Sequence, residues 1–369
     1  MSDDAHDDYQ LEYDSVQDRI GGDWKESDLV IQSSDMALMN VASLARSGAL
    51  DLSPRFQRRN RWDRARQSRL IESFLLNIPV PAVYLAEERR GRFTVIDGKQ
   101  RLTAIADFLN DEFKLTSIPL IPQLEGVHFS ALSLAQQSAL NMRPLRAVTI
   151  MRQTPEWIKY EVFIRLNTGG QPLNYQEIRN VAFPGVLNDA IIDLSSNPFL
   201  RRQLKIRSEI SPNYSQMTDV TYVLRFLALN EYWNEFSGSL QGTLDKFMLE
   251  HSRDSERKVE EHQSRFNRAI NACESIWGDL AFRRYDGKQW RDQLIGGVYD
   301  AEMVACSLVG DSILTNAAVR SASVVERLAQ AFKRDKEFDA SVRIGTNTPS
   351  RVRYRIRRTR EILLETAAE

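Results

Sequence analysis

The chain has 369 residues, enough for two or three domains, and its 42% hydrophobic content is sufficient for ordinary packed cores. Lys and Arg number 49 against 50 Asp and Glu, a net charge of −1 that argues against coating of nucleic acid by bulk electrostatics and leaves room for a local basic site. No apolar run reaches the roughly 18 residues of a membrane span, and no secretory leader is evident, so a soluble cytoplasmic protein is expected. Cys273 and Cys306 then read as reduced and buried. No CxxC pair occurs and His6, His128, His251 and His262 are scattered, which leaves little from which to build a zinc site.

Residues 1–24 are acidic and poor in aliphatics, and are expected to form a flexible tail. Residues 25–183 carry a mixed pattern. LVIQ alternates from Leu29, then MALMNVASLARSG turns helical, and residues 51–54 are expected to be a loop. A helix follows from Asp63, with Leu70, Ile71, Phe74 and Leu75 on one face, and the NIPVP run at 77–81 ends it. Strands are expected at 82–86 and 92–96, joined as a hairpin by a turn at 87–91. Asp97-Gly98 breaks the second strand, and Leu102, Ile105, Ala106 and Leu109 recur at helical spacing. Residues 113–120 look β-like, Ser130 is the expected cap of a helix over 132–141, and 146–151 reads as a strand that adds to the same sheet. Pro155 opens a helix with Ile158, Val162, Phe163 and Leu166 as its apolar face, and another helix starts at Asn174 or Tyr175. From 184 to 369, helix follows helix: 186–194, 199–206, 218–232, a long amphipathic stretch within 244–283, then 289–309, 312–332 and 351–368. The expected class is α+β, an α/β domain followed by an all-helical domain.

Three places can carry chemistry. DGKQR at 97–101 sits on a strand–turn–helix junction, where helix N–H groups face a phosphate. Asp97 suits Mg²⁺ or a water, Gly98 permits close backbone approach, Lys99 and Arg101 pair with phosphate oxygens, and Gln100 both donates and accepts. The plain alternative is an Asp–Gly turn before a helix, and no Walker A loop is present. PRFQRRNRW at 54–62 interleaves arginines with Phe56 and Trp62, which fits phosphate pairing and base stacking, or else a solvated helix start paired with Glu72 and the acidic tail. RLNTGGQPLNYQEIRN at 165–180 is a helix–loop–helix connection in which capping accounts for Gly169, Asn174 and Glu177, and leaves Arg165, Asn167 and Arg179 without a local role. Glu250, His251, Arg253, Asp254 and Glu256 match no nuclease or metalloprotease motif and read as a charged helix surface. Trp157, Trp233, Trp277 and Trp290 fall on helical patterns and read as packing residues.

In this order, PxFQR…W, DGxQR–LTA and FxRLNTGGxxLNxQEIRN resemble the N-terminal domain of GmrSD-type modification-dependent restriction enzymes, a family similar in fold to ParB and sulfiredoxin. The resemblance spans about residues 35–235. It implies nucleoside triphosphate binding and hydrolysis with Mg²⁺ at the DGQQR signature, and in some members DNA nicking or phage defence. Residue by residue it implies catalytic roles for Asp97, Gln100 and Arg101, with Asp97 holding the metal. It implies nucleotide contacts from Gln57, Arg58, Gly98, Lys99, Arg101, Asn167, Thr168 and Arg179. Arg55, Arg59 and Arg61 of the arginine cluster are the expected DNA contacts. Lys99 departs from the commonest signature, which has Gln there, and the histidine motif of the family's separate nuclease domain does not occur. The expected function is an NTP-hydrolysing protein acting on or near DNA in defence, with a partner nuclease subunit or a second copy of the chain. The alternatives are a non-catalytic nucleotide- or DNA-binding module that recruits a partner, and a metal-dependent DNA nickase.

Overall fold

The computed structural model describes residues 28–52, 62–89, 91–166 and 174–368. The acidic tail expected at 1–24 lies outside the described residues. The chain divides into two compact units, Met1–Ala182 and Phe183–Glu369.

In the first unit, β1 (Ile31–Ala37) runs directly into α1 (Leu38–Arg46). A two-residue strand, β2 (Leu50–Asp51), ends on the first residue of the expected loop. The Asp63 carboxylate accepts the Arg66 N–H at 2.7 Å and caps α2 (Arg64–Leu75). The hairpin expected from sequence is β3 (Val83–Arg89) and β4 (Arg92–Asp97), antiparallel. Its first strand extends to Arg89, into the residues expected as a turn. After α3 (Lys99–Leu109), residues 113–120 form no strand. Phe113, Leu115 and Ile118 are buried there, so their spacing reflects a chain laid across the core with no strand partner. The helix α4 (Leu134–Asn141) is capped by Ser133 rather than Ser130, because only Ser133 has a glutamine three residues on, Gln136, to close a reciprocal capping box.

With β5 (Pro144–Ile150), these strands form one mixed sheet in the order β1-β5-β3-β4-β2. The β5–β3 and β4–β2 pairs are parallel and the other two antiparallel. Val83, Leu85 and Val95 face a core shared with Val41 of α1, Ile71 and Phe74 of α2, and Leu102, Ile105 and Phe108 of α3. Helices α5 (Glu156–Leu166) and α6 (Tyr175–Ala182) pack on each other and against β4. The buried residues of α5 include Ile158 and Phe163 as expected, but also Lys159, Tyr160 and Glu161, whereas Val162 and Leu166 are half-buried.

The second unit is mainly helical: α7 (Val186–Leu194), α8 (Pro198–Gln203), α9 (Pro212–Ser215), α10 (Thr218–Tyr232), α11 (Leu240–His251) and α12 (Glu256–Trp277). It is not helical throughout. The strands β6 (Arg283–Tyr285) and β7 (Trp290–Leu294) form a hairpin where helix was expected. Asp286 and Gly287 make its turn, with the Asp286 carboxylate accepting N–H bonds from Lys288 and Gln289 at 2.9 Å, so local turn chemistry decides the conformation of a segment with few apolar residues. Then come α13 (Gly296–Ser307), α14 (Asp311–Val319), α15 (Ser321–Arg334), α16 (Lys336–Ser341) and α17 (Pro349–Ala367). The long amphipathic stretch expected within 244–283 is α12, and the single helix expected over 312–332 is broken at Arg320.

Helix α13 is the axis of this unit and is buried along nearly its whole length. Its Asp300 carboxylate receives Arg225 in a two-pronged bond of 2.6 and 2.8 Å, and Arg355 of α17 at 2.6 Å. Arg355 also donates to the Ser341 and Thr346 carbonyls at 2.9 and 2.6 Å. Removing one partner from such a buried set typically costs about 3–5 kcal/mol. Cys273 and Cys306 are both buried and free, with sulfurs 3.9 Å apart.

Glu302, also on α13, is fully buried and accepts one N–H, from Phe282 at 2.8 Å. Burial pushes its carboxyl well above the usual range. The folded state therefore keeps a proton that the unfolded chain releases, and stability falls as pH rises above the ordinary glutamate range. Glu302→Gln is expected to be more stable than the parent at neutral pH and to lose part of that decline. Urea unfolding at about pH 5 and about pH 8 checks this, the window being set by the ordinary glutamate pKa.

Candidate functional site

The first motif is built on a backbone constraint. β4 ends at Asp97 and α3 starts at Lys99, so the chain must turn within Gly98. Gly98 takes φ 95° and ψ 12°, in the left-handed region, and its carbonyl accepts the Leu102 N–H at 2.9 Å. A Cβ there would lie 2.5 Å from Cγ1 of Val83 on the neighbouring strand. Because Gly98 occupies the cap position, α3 begins without a side-chain cap.

Arg101 folds back over this turn. Its Nη2 donates to Asp97 Oδ2 at 2.6 Å, and its Nη1 to the Pro81 and Ala82 carbonyls at 2.5 and 2.9 Å. The Arg101 side chain is 12% exposed, whereas Asp97 keeps 42%. Arg101 is thus occupied in fixing the carboxylate and the entry to β3, and the exposed member of the pair is the acid. The two carbonyls that complete this clamp have no side-chain signature, and sequence reading does not find them.

Gln100 joins the first motif to the end of the second. Its Oε1 accepts the Trp62 N–H at 3.1 Å. The Arg66 guanidinium covers the Trp62 ring at 4.4 Å, and Arg64 lies over Phe113 at 4.9 Å. Glu72, considered as a salt-bridge partner of the arginine cluster, is buried and accepts the Leu120 N–H at 2.7 Å.

In the third motif, Asn174 Oδ1 accepts the Glu177 N–H at 2.9 Å and Glu177 Oε2 accepts the Asn174 N–H at 2.8 Å, the reciprocal box expected from sequence. Arg165 pairs with Glu161 at 2.6 Å and is largely exposed. Arg179 is 1% exposed, with its guanidinium 6.0 Å from the Tyr175 ring centre. Gln176 donates to Asn180 Oδ1 at 2.9 Å, and its buried Oε1 has no hydrogen-bond partner. Since α6 packs against β4, the third motif and the first share one strand.

Asp97, Gly98, Lys99, Gln100, Arg101 and Arg179 are therefore described, with the first five forming the junction itself. Gln57, Arg58, Asn167 and Thr168, and the expected DNA contacts Arg55, Arg59 and Arg61, lie outside the described residues. In the second unit, the fold joins residues whose spacing gave no motif. His251 and His262 have ring centres 5.1 Å apart, and Asp254 lies between them.

Residues 41–184 match the family model described as the GmrSD restriction endonuclease, N-terminal domain. The chain carries a GmrSD N-terminal domain. No curated protein and no solved structure matches it. The GmrSD domain begins within α1, ends just beyond α6 and encloses all three motifs. It ties the chain to restriction-type defence acting on DNA. Among the described residues no helix is long and apolar enough to cross a membrane.

Two glycine substitutions separate the parts of the Gly98 constraint. Gly91 also has positive φ, but nothing lies within 4 Å of a Cβ there. Gly91→Ala is expected to cost about 1–2 kcal/mol from backbone conformation alone. Gly98→Ala adds a collision with Val83 and is expected to cost about 2–4 kcal/mol. Urea unfolding of both variants measures the difference.

Proposed function

We propose that the GmrSD N-terminal domain of this chain binds and hydrolyses a nucleoside triphosphate at the DGKQR junction, in a protein that acts on or near DNA in defence against foreign DNA. The observation that carries this reading is Asp97: a carboxylate fixed by Arg101 yet still 42% exposed, beside a helix start without a side-chain cap. Such a helix start favours a phosphate through its N–H groups and dipole. Mg²⁺ is commonly held by one or two carboxylates together with substrate phosphates and water, and a fixed, exposed Asp97 fits that donor set. Bound there, the ion would supply charge neutralisation on the phosphates.

The chain's own residues divide the remaining work. Arg101 positions Asp97. Lys99 offers positive charge at the helix start, where the commonest family signature has Gln. Gln100 holds Trp62, and so the end of the arginine-rich segment, beside the turn. Gln57, Arg58, Asn167, Thr168 and Arg179 would complete the nucleotide contacts, and Arg55, Arg59 and Arg61 would meet the DNA backbone. The domain would share the ParB/sulfiredoxin-like fold and work in the cytoplasm. Strand cleavage would fall to a separate nuclease subunit or need a second copy of the chain.

One observation favours a second reading, a non-catalytic nucleotide-binding module. Both terminal nitrogens of Arg101 are committed to Asp97 and to backbone carbonyls, which makes the motif's arginine architectural. Calorimetric titration with ATP, GTP and CTP in Mg²⁺, followed by phosphate release, separates the two. Hydrolysis predicts turnover with one of these nucleotides, reduced about 100-fold or more in folded Asp97→Asn. Binding without phosphate release supports the module. No binding of any of the three overturns both.

A further inference from the structure

The second unit contains a polar cluster that the nucleotide chemistry does not use. α11 ends at His251, the turn that follows carries Asp254, and His262 lies in the second turn of α12. His251 Nδ1 is 2.7 Å from Asp254 Oδ2, and His262 Nε2 is 3.5 Å from that same oxygen. One ligand atom from each of the three lies within 4.8 Å of the others. The side chains are only 15%, 9% and 9% exposed, so this is not the solvated helix surface expected from sequence.

We propose that His251, Asp254 and His262 bind a zinc-type divalent cation, with Glu231 as the carboxylate that orients His251. A tetrahedral zinc ion with bonds of about 2.0–2.1 Å sets its ligand atoms about 3.3 Å apart, a spacing that small side-chain movements reach from 2.7 and 3.5 Å. Two imidazoles and one carboxylate suit zinc better than Mg²⁺ or Ca²⁺, which take oxygen ligands. The second independent observation is the far side of His251. Its Nε2 lies 3.1 Å from Glu231 Oε1, so Nε2–H can donate to a carboxylate while Nδ1 keeps its lone pair for the metal. A carboxylate–histidine–metal relay of this kind fixes tautomer and ring orientation at metal centres.

The surroundings support the assignment. Phe247 packs on both imidazoles, with ring centres 4.5 and 5.3 Å away, and forms an apolar wall. Glu250 is directed elsewhere, accepting the Tyr232 hydroxyl and lying 4.0 Å from Lys246. Lys258 Nζ, 3.3 Å from Asp254 Oδ1, is the cation that the metal must tolerate, and it is mostly exposed. Three protein ligands leave one position of a tetrahedral ion for water.

The test uses untagged full-length protein stripped with a chelator. Calorimetric titration with Zn²⁺ is expected to give one equivalent, and Co²⁺ in its place the strong visible bands of tetrahedral coordination. His262→Ala and Asp254→Asn, each checked for native circular dichroism, are expected to weaken Zn²⁺ binding about 100-fold or more, and Glu231→Gln about 10- to 100-fold. Zn²⁺ is expected to raise the melting temperature of the parent and not of His262→Ala. Folded parent protein that takes up no more Zn²⁺ than His262→Ala overturns the proposal and leaves the cluster as an imidazole–carboxylate hydrogen-bond network. Asp254→Asn keeps the shape of the turn, so it decides the matter if His262→Ala does not fold.

Discussion

The GmrSD domain depends on one small clamp. Gly98 turns the chain in a left-handed conformation against Val83, and Arg101 reaches back over it to Asp97 and to the carbonyls of Pro81 and Ala82. β4, α3 and the entry to β3 are thereby fixed to one another within a few residues. The clamp also leaves the carboxylate as the accessible member of the pair. A fixed carboxylate at a helix start is a reactive arrangement in a way that a freely rotating one is not, because no reorganisation is needed when a ligand arrives. Loss of Arg101 would thus disturb both the fold and the acid.

Arginine serves the same architectural purpose in the second unit. Asp300 on α13 is held between Arg225 and Arg355, and the second of these belongs to the arginine-rich start of α17. Arg351, Arg353, Arg355, Arg357 and Arg358 each have a carbonyl, amide or carboxylate partner. An arginine run is therefore not by itself a nucleic-acid surface. With a net charge of −1 and many of its arginines committed internally, the protein would meet DNA at a local site.

Much of the first unit was legible in the sequence because its signals are local. The β3–β4 hairpin followed from two apolar runs with a short break, α3 from helical spacing after Asp97-Gly98, and the Asn174–Glu177 box from residue types three apart. Errors arose where a pattern had another cause. Residues 113–120 look β-like because Phe113, Leu115 and Ile118 are laid into the core, and the largely polar β6–β7 hairpin shows itself only through its Asp286-Gly287 turn. The three-motif order was enough to identify the GmrSD domain. The partners of Arg101 were not legible, since two of them are backbone carbonyls of Pro81 and Ala82, just before β3. Nor was the convergence of His251, Asp254 and His262, which depends on how α11 turns into α12 and on no motif spacing.

On the function proposed above, this GmrSD domain would meet a triphosphate at the Asp97 junction. A crystal structure of the full-length protein with Mg²⁺ and a non-hydrolysable ATP, GTP or CTP analogue, chosen by affinity, tests it most directly. Phosphate density is expected at the start of α3, with Asp97 contacting the ion and Arg101 still bound to the Pro81 and Ala82 carbonyls. A triphosphate bound at another part of the molecule, with the Asp97–Arg101 clamp untouched and no ligand beside it, would rule out the Asp97 junction as the nucleotide site.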